Sequence, residues 1–120
     1  MDRTSWTLNC ILCSPSRTLD AWSVFEVFHG GPLPAWTRHL VGWKREGCVG
    51  QVSTSVTEFD PVRRRARTRS GRVYELAGRP GLNADAIAVW ARWKYVNGVS
   101  AERDVTDEVE HLMSRDSGRV

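Results

Sequence analysis

Residues 50–81 constrain the fold more than any other part of the sequence, because strand-forming runs alternate there with residues that break strands. β-Branched residues alternate with polar ones over residues 52–57, which is the pattern of a half-buried strand. Asp60-Pro61 follows and suits a type I turn, since proline fixes φ at the second turn position. Together with the breakers at residues 78–81, these signals predict three consecutive strands.

The second and third of these strands form a predicted hairpin, with Ser70-Gly71 as a two-residue turn. Its arms are expected at Arg64–Arg69 and Arg72–Ala77. In this register Arg67 faces Tyr74, and the neighbouring arginines surround the tyrosine ring. A slip of one residue would exchange the two faces of the hairpin.

Earlier in the chain, period-two alternation predicts two further strands, at Thr4–Cys13 and Asp20–Phe28. Both faces of the second are apolar, which is typical of a strand in the middle of a sheet. Residues 35–46 fit either a helix or a strand, since Trp36, His39, Leu40 and Trp43 have helical spacing; we favour a strand at Thr37–Lys44, because predicted sheet pairing surrounds it. The breakers between residues 29 and 34 predict a loop without regular structure.

Two helices are predicted to follow. Asn83 is expected to cap the first, which ends at Asn97-Gly98, and Thr106 is expected to begin the second. Strands followed by helices predict an α+β fold: an antiparallel curved sheet of five or six strands followed by one long and one short C-terminal helix packed on the sheet. We expect a single domain over residues 1–113 and a frayed tail over residues 114–120.

Composition excludes several protein classes. The chain is 41% hydrophobic and 26% charged, which is typical of a globular protein and not of a disordered one. It has no apolar run near the ~18 residues of a membrane span. No basic segment followed by an apolar core begins the sequence, so we expect no signal peptide. The low cysteine count fits a reducing compartment, and we predict a cytoplasmic location.

The cysteines are candidate metal ligands. Cys10 and Cys13 form a C-x-x-C pair, but on an extended strand their thiols point to opposite faces, which disfavours a shared metal ion or a redox pair. A zinc site would need Cys48 and a histidine such as His29 or His39 to join them. We therefore expect buried or incidental cysteines, no metal and no cofactor, with zinc and redox chemistry as alternatives.

Catalytic motifs are lacking. The sequence contains no nucleophile elbow, zinc-protease motif, P-loop or dinucleotide fingerprint. Its three histidines have no acid or nucleophile at a catalytic spacing. We predict no catalytic residues, and an enzyme is the third of three functional hypotheses.

The arginine cluster of the hairpin is the sharpest functional signal. Guanidinium groups bind phosphates and an aromatic ring binds bases, so the cluster predicts contact with a nucleic acid or with an acidic protein surface. The structural alternatives are a solvated sheet edge and pairing with the acidic C-terminal segment. The candidate contact residues are Arg63, Arg64, Arg65, Arg67, Arg69, Arg72 and Tyr74.

The motif TRSGRVYELAGRPG at residues 68–81, the Trp90-x-x-Trp93 helix and Asp104-Val105-Thr106 together resemble a pattern of short uncharacterised proteins of bacterial mobile elements. The resemblance spans residues 50–109. It implies an accessory protein of a plasmid, phage or gene cassette that acts by binding. Such proteins have no assigned activity, so no functional residue is carried over.

The leading hypothesis is therefore a non-catalytic binding module that contacts nucleic acid or a nucleic-acid-handling protein through the arginine-rich hairpin. The second is a protein-binding inhibitor, similar to anti-CRISPR proteins, or a homodimer that uses the same basic patch. We expect no membrane partner.

Overall fold

The computed structural model describes residues 6–29 and 35–117, with side chains described up to residue 114. It has an α+β fold with a mostly antiparallel sheet and two helices. The strands are β1 (Thr7–Leu8), β2 (Arg17–His29), β3 (Ala35–Lys44), β4 (Val49–Val52), β5 (Val56–Asp60), β6 (Arg65–Thr68), β7 (Val73–Leu76) and β8 (Val99–Asp104). The helices are α1 (Ala84–Val96) and α2 (Thr106–Ser117).

The long strand β2 organises the sheet. Its whole length pairs with β3, whereas its other edge pairs first with β7 and then with β8. The register shifts between Asp20 and Ser23, where Ala21 takes a φ of 46°. Strand β2 therefore bends between the part that pairs with β7 and the part that pairs with β8. The central position predicted for this strand is confirmed.

The strand order is β1-β5-β6-β7-β2-β3-β4, and β8 lies beside β2 off this path. The pairs β1/β5 and β2/β7 are parallel. The predicted antiparallel sheet is confirmed for most strand pairs, but the predicted number of five or six strands is wrong, since eight strands form a sheet with two parallel pairs within the described part of the chain. The predicted curvature stays a prediction.

Two local predictions are also wrong, and one strand was not predicted. Only Thr7–Leu8 of the described part of the first predicted strand is extended and paired, and Ile11 beyond it is fully buried. Residues 52–57 are not one strand, because the buried Ser53 leaves the ladder and binds the backbone of Leu40. Strand β8 went unpredicted, because nearly all its side chains are exposed and give no apolar alternation.

The helices cover opposite faces of the sheet. Val24 of β2 belongs to the core cluster that includes Val109 of α2, whereas the next residue, Phe25, packs with Trp90 of α1. Successive strand residues point to opposite faces, so the sheet lies between the two helices. Residues 30–34, the predicted loop, lie outside the described residues.

Helix α1 begins and ends as predicted. The side chain of Asn83 accepts a hydrogen bond from Ala86 N at 3.0 Å, and Gly98 takes a φ of 60° beyond the last turn. Helix α2 begins at Thr106 as predicted but runs to Ser117, past the predicted start of a frayed tail at residue 114. At 13 and 12 residues the helices are nearly equal, so the prediction of one long and one short helix is wrong. Within the described ranges, neither helix is long and apolar enough to cross a membrane.

Candidate functional site

The arginine hairpin has a different register from the predicted one. Ala66 lies opposite Tyr74 and Arg67 opposite Val73. The backbone N–H of Thr68 donates to the carbonyl oxygen of Arg72 at 3.0 Å, which leaves a three-residue loop over residues 69–71. Gly71 in this loop has a φ of 90°, a conformation that glycine adopts without strain.

This shift of one residue buries Tyr74. Its side chain is 1% exposed and belongs to the core cluster that includes Ala66. The phenol oxygen accepts a hydrogen bond from Gln51 Nε2 at 3.2 Å. The prediction that arginines surround the ring is wrong, and a buried ring has no face to offer to a base.

Two of the hairpin arginines are paired with acids of the same sheet. Arg63 Nη1 lies 3.1 Å from Asp60 Oδ2, and Arg67 Nε lies 2.9 Å from Glu58 Oε1. The hydrogen bond from Arg67 lowers the pKa of the Glu58 carboxyl. Burial would raise the pKa of Asp60, but hydrogen bonds from two backbone N–H groups and from Arg63 lower it overall.

Two more arginines bind backbone carbonyl oxygens. Arg64 Nε donates to Leu76 O at 2.8 Å, and Arg65 Nη1 donates to the carbonyl oxygens of Ile11 at 3.1 Å and Cys13 at 2.9 Å. These contacts fix the guanidinium groups in place. They do not neutralise the two positive charges, because a carbonyl group carries no net charge.

Arg69 and Arg72 remain at the tip of the hairpin. Both side chains are exposed, and neither makes an ion pair or hydrogen bond with the rest of the described chain. The acidic C-terminal segment pairs elsewhere, since Glu108 binds Arg38 and Glu102 binds Lys94. None of the described ion pairs joins a hairpin arginine to that segment. For the described residues, the alternative that the arginine cluster pairs with the acidic C-terminal segment is therefore wrong.

A cavity of about 420 Å³ adjoins Arg69. His29 and the two alternate β3 residues Thr37 and His39 line it, because β2 and β3 bring their side chains to one face. The Thr37 hydroxyl lies 3.0 Å from Nε2 of His29 and 2.8 Å from Nε2 of His39. Nδ1 of His39 lies 2.9 Å from the carbonyl oxygen of Ser53.

The hydrogen bonds that link His29, Thr37, His39 and the Ser53 carbonyl oxygen all run in one direction. A carbonyl oxygen only accepts, so Nδ1 of His39 carries the hydrogen and Nε2 of that ring accepts from Thr37. The Thr37 oxygen then accepts from Nε2 of His29. Nδ1 of a neutral His29 is consequently left as a hydrogen-bond acceptor at the end of the chain.

Aromatic rings form the apolar side of the cavity. The Trp93 ring lies 4.5 Å from the His39 ring and stacks on Trp90 at 5.2 Å. Burial lowers the pKa of His39 to about 4, although the hydrogen bond to Ser53 opposes this. His39 is therefore neutral at physiological pH and serves as a fixed hydrogen-bonding group.

The predicted strand at residues 37–44 already placed Thr37 and His39 on one face. Nothing in the sequence linked that face to His29 or to Trp93, so the cavity was not predicted.

The hypothesis of an enzyme would need a carboxylate beside these histidines. The described residues that line the cavity include none.

Cys13 contacts the hairpin, since its carbonyl oxygen accepts from Arg65 and its Sγ accepts from Arg67 at 3.5 Å. Cys10, Cys13 and Cys48 are free and exposed, so of the predicted buried or incidental cysteines the buried alternative is wrong. No cluster of three potential metal-binding side chains occurs in residues 6–29 and 35–117.

The site was also compared with known proteins. No protein-family model, no curated protein and no solved structure matches this chain. The geometry of the hairpin and of the cavity is therefore what supports a function.

Proposed function

We propose that this chain is a non-catalytic binding module that contacts nucleic acid through Arg69 and Arg72. The observation that carries the proposal is the pair of exposed side chains at the tip of the hairpin, Arg69 in the three-residue loop and Arg72 directly after it, without partners in the described structure. A guanidinium group that is already hydrogen bonded must break those bonds to reach a phosphate. Arg69 and Arg72 have no such hydrogen bonds to break. Each of their guanidinium groups has five N–H donors, which suit phosphate oxygens.

The anchored arginines support the tip residues in two ways. Arg64 and Arg65 hold the hairpin to neighbouring backbone segments while keeping their charge. Positive charges near the tip raise the local concentration of a polyanion even without direct contact. The proposed contact surface therefore differs from the predicted one, since Tyr74 is buried and Arg63 and Arg67 are paired.

The test is fluorescence anisotropy with labelled single-stranded and double-stranded oligonucleotides over a salt series. The test variant is Arg69→Ala/Arg72→Ala. The matched control is Arg79→Ala/Arg92→Ala, which removes two exposed arginines elsewhere and changes the net charge equally. Two lost phosphate contacts should lower the slope of log affinity against log salt by roughly 1.4 for a single strand.

Weaker binding and a shallower slope in the test variant alone support the proposal. Equal losses in both double variants would show that the net charge matters and the hairpin tip does not. Absence of binding by the wild type at low salt would sink the proposal.

A second candidate is a protein partner with an acidic surface, or a second copy of this chain. It is favoured by large apolar residues that α1 and the segment before it expose: Leu82, Val89, Tyr95 and Val96. Partner binding that tolerates salt but is lost in Tyr95→Ser would favour this candidate, because apolar contacts are little screened.

A bacterial mobile element is the proposed setting. It is supported by the motif at residues 68–81 and by the Trp90-x-x-Trp93 helix.

A further inference from the structure

The cavity beside Arg69 has a distribution of polar groups that the proposed function leaves unexplained. Arg69, Thr54 and Ser55 are among the residues that line it. Their guanidinium and hydroxyl groups can donate hydrogen bonds, and the arginine adds a positive charge. The Thr54 oxygen already accepts from the backbone N–H of Ser70 at 3.2 Å, so its hydroxyl hydrogen is left to donate.

Acceptors also line the same cavity. Nδ1 of a neutral His29 ends the hydrogen-bond chain through Thr37. Asn97 uses its Nδ2 to donate to the Trp93 carbonyl oxygen at 2.9 Å, so its Oδ1 is left to accept. A ligand that fits must carry an anionic group for the donors and an N–H donor for the acceptors.

The Trp93 indole adds an apolar aromatic group to the lining of the cavity. It is half-buried, and its stacking on Trp90 holds it in place. A fixed ring of this kind favours a planar aromatic group in the ligand. The volume of about 420 Å³ lies within the range of roughly 300–1,000 Å³ that is typical of small-molecule sites.

We propose that this cavity takes one unstacked nucleotide of a bound single strand. Its phosphate lies on Arg69 with the Thr54 and Ser55 hydroxyls, and its base lies against Trp93. An exocyclic amino group of the base donates to His29 Nδ1 or Asn97 Oδ1. This inference rests on the proposed function and narrows it, because a base inside a duplex is stacked and paired and is not free to enter such a cavity.

The experiment is isothermal titration calorimetry with AMP, UMP, adenosine and inorganic phosphate. Arg69→Ala is the test variant, and Arg79→Ala is the matched control, since Arg79 is an exposed arginine that does not line the cavity. Loss of a charge-assisted contact should weaken AMP binding about tenfold or more in Arg69→Ala and leave Arg79→Ala within about twofold.

The comparison of bases tests the acceptor side. AMP carries an exocyclic amino group and UMP does not, so AMP should bind roughly tenfold more tightly. A His29→Phe variant keeps an aromatic ring but loses the acceptor, and it should reduce this preference. Far-UV circular dichroism of each variant establishes that it is folded.

The outcomes separate the two proposals. Binding of AMP that Arg69→Ala alone weakens supports the cavity. No heat with AMP, while oligonucleotides still bind through the hairpin tip, overturns the cavity and leaves the proposed function standing. Inorganic phosphate that binds as tightly as AMP overturns the role of the base. Failure of both AMP and oligonucleotides to bind overturns both proposals.

Discussion

Glu26 of β2 lies directly opposite Arg38 of β3, and the two form an ion pair that is almost completely buried. Arg38 Nε lies 3.3 Å from Glu26 Oε2, and their side chains are 4% and 1% exposed. Arg103 of β8 lies opposite Glu26 on its other side and binds the second carboxylate oxygen. Three strands thus carry one charge network across the sheet.

We expect Arg38→Ala to lower the free energy of unfolding by about 3–5 kcal/mol, because it leaves a buried carboxylate with one of its two charged partners. The Arg38 guanidinium also lies 4.5 Å from the Trp6 ring, a contact that the variant loses. Urea denaturation measures the change. The control is Arg45→Ala, which breaks the exposed pair with Asp20 and should cost much less, because solvent screens an exposed ion pair. Equal costs would contradict the difference in burial.

His39 should make stability depend on pH. Its pKa falls from 6.5 to about 4 in the folded state, chiefly through burial. The unfolded chain therefore binds more protons between these values, and the free energy of unfolding should fall by about 3 kcal/mol as pH drops from 6.5 to 4. The group's contribution is fully present above pH 6.5.

Urea midpoints at several pH values for wild type and for His39→Gln isolate this contribution. Carboxylates with lowered pKa values, such as Glu58 and Asp60, also titrate at low pH, but they do so in both proteins. The difference between the two curves should shrink as pH falls. A constant difference would refute the assignment to His39.

Gly50 allows α1 to lie close to β4. A Cβ at this position would lie 2.6 Å from Ala86 N and 2.8 Å from Ala86 Cα, both in the helix backbone. Gly50→Ala should therefore destabilise the protein by about 1–3 kcal/mol, since the helix must move to make room. Thermal denaturation followed by circular dichroism measures the loss.

The control for this substitution is Gly98→Asn. Its Cβ would meet nothing within 4 Å, and asparagine tolerates the φ of 60° after a helix. We expect a change within about 0.5 kcal/mol. A Gly50→Ala protein as stable as this control would mean that the helix is not held against the strand.

Tyr74 offers a test of the hairpin register. Tyr74→Phe removes the hydrogen bond from Gln51 and should cost about 1 kcal/mol of stability. Oligonucleotide affinity, measured by anisotropy, should be unchanged because the ring is buried. A loss of affinity at unchanged stability would favour the other register, in which the ring lies among arginines.

Elements that depend on local signals could be predicted from the sequence. Helix α1 begins after Asn83 and ends before Gly98, because its caps are formed by residues that are near neighbours in the chain. Strand β2 follows from its own apolar alternation, β3 was favoured over a helix because predicted strands surround it, and the order of strands before helices indicated the α+β class.

The residues of the candidate site, in contrast, are brought together by packing between segments that are distant in the sequence. The hairpin loop has three residues instead of two because burying Tyr74 and Ala66 in the core outweighs the preference of Ser70-Gly71 for a tight turn. Strand β8 exists only because β2 has a free edge beyond β7. The cavity joins His29, Thr37 and Trp93 from three elements, and such contacts depend on packing between distant segments, which leaves no periodic signal in the sequence.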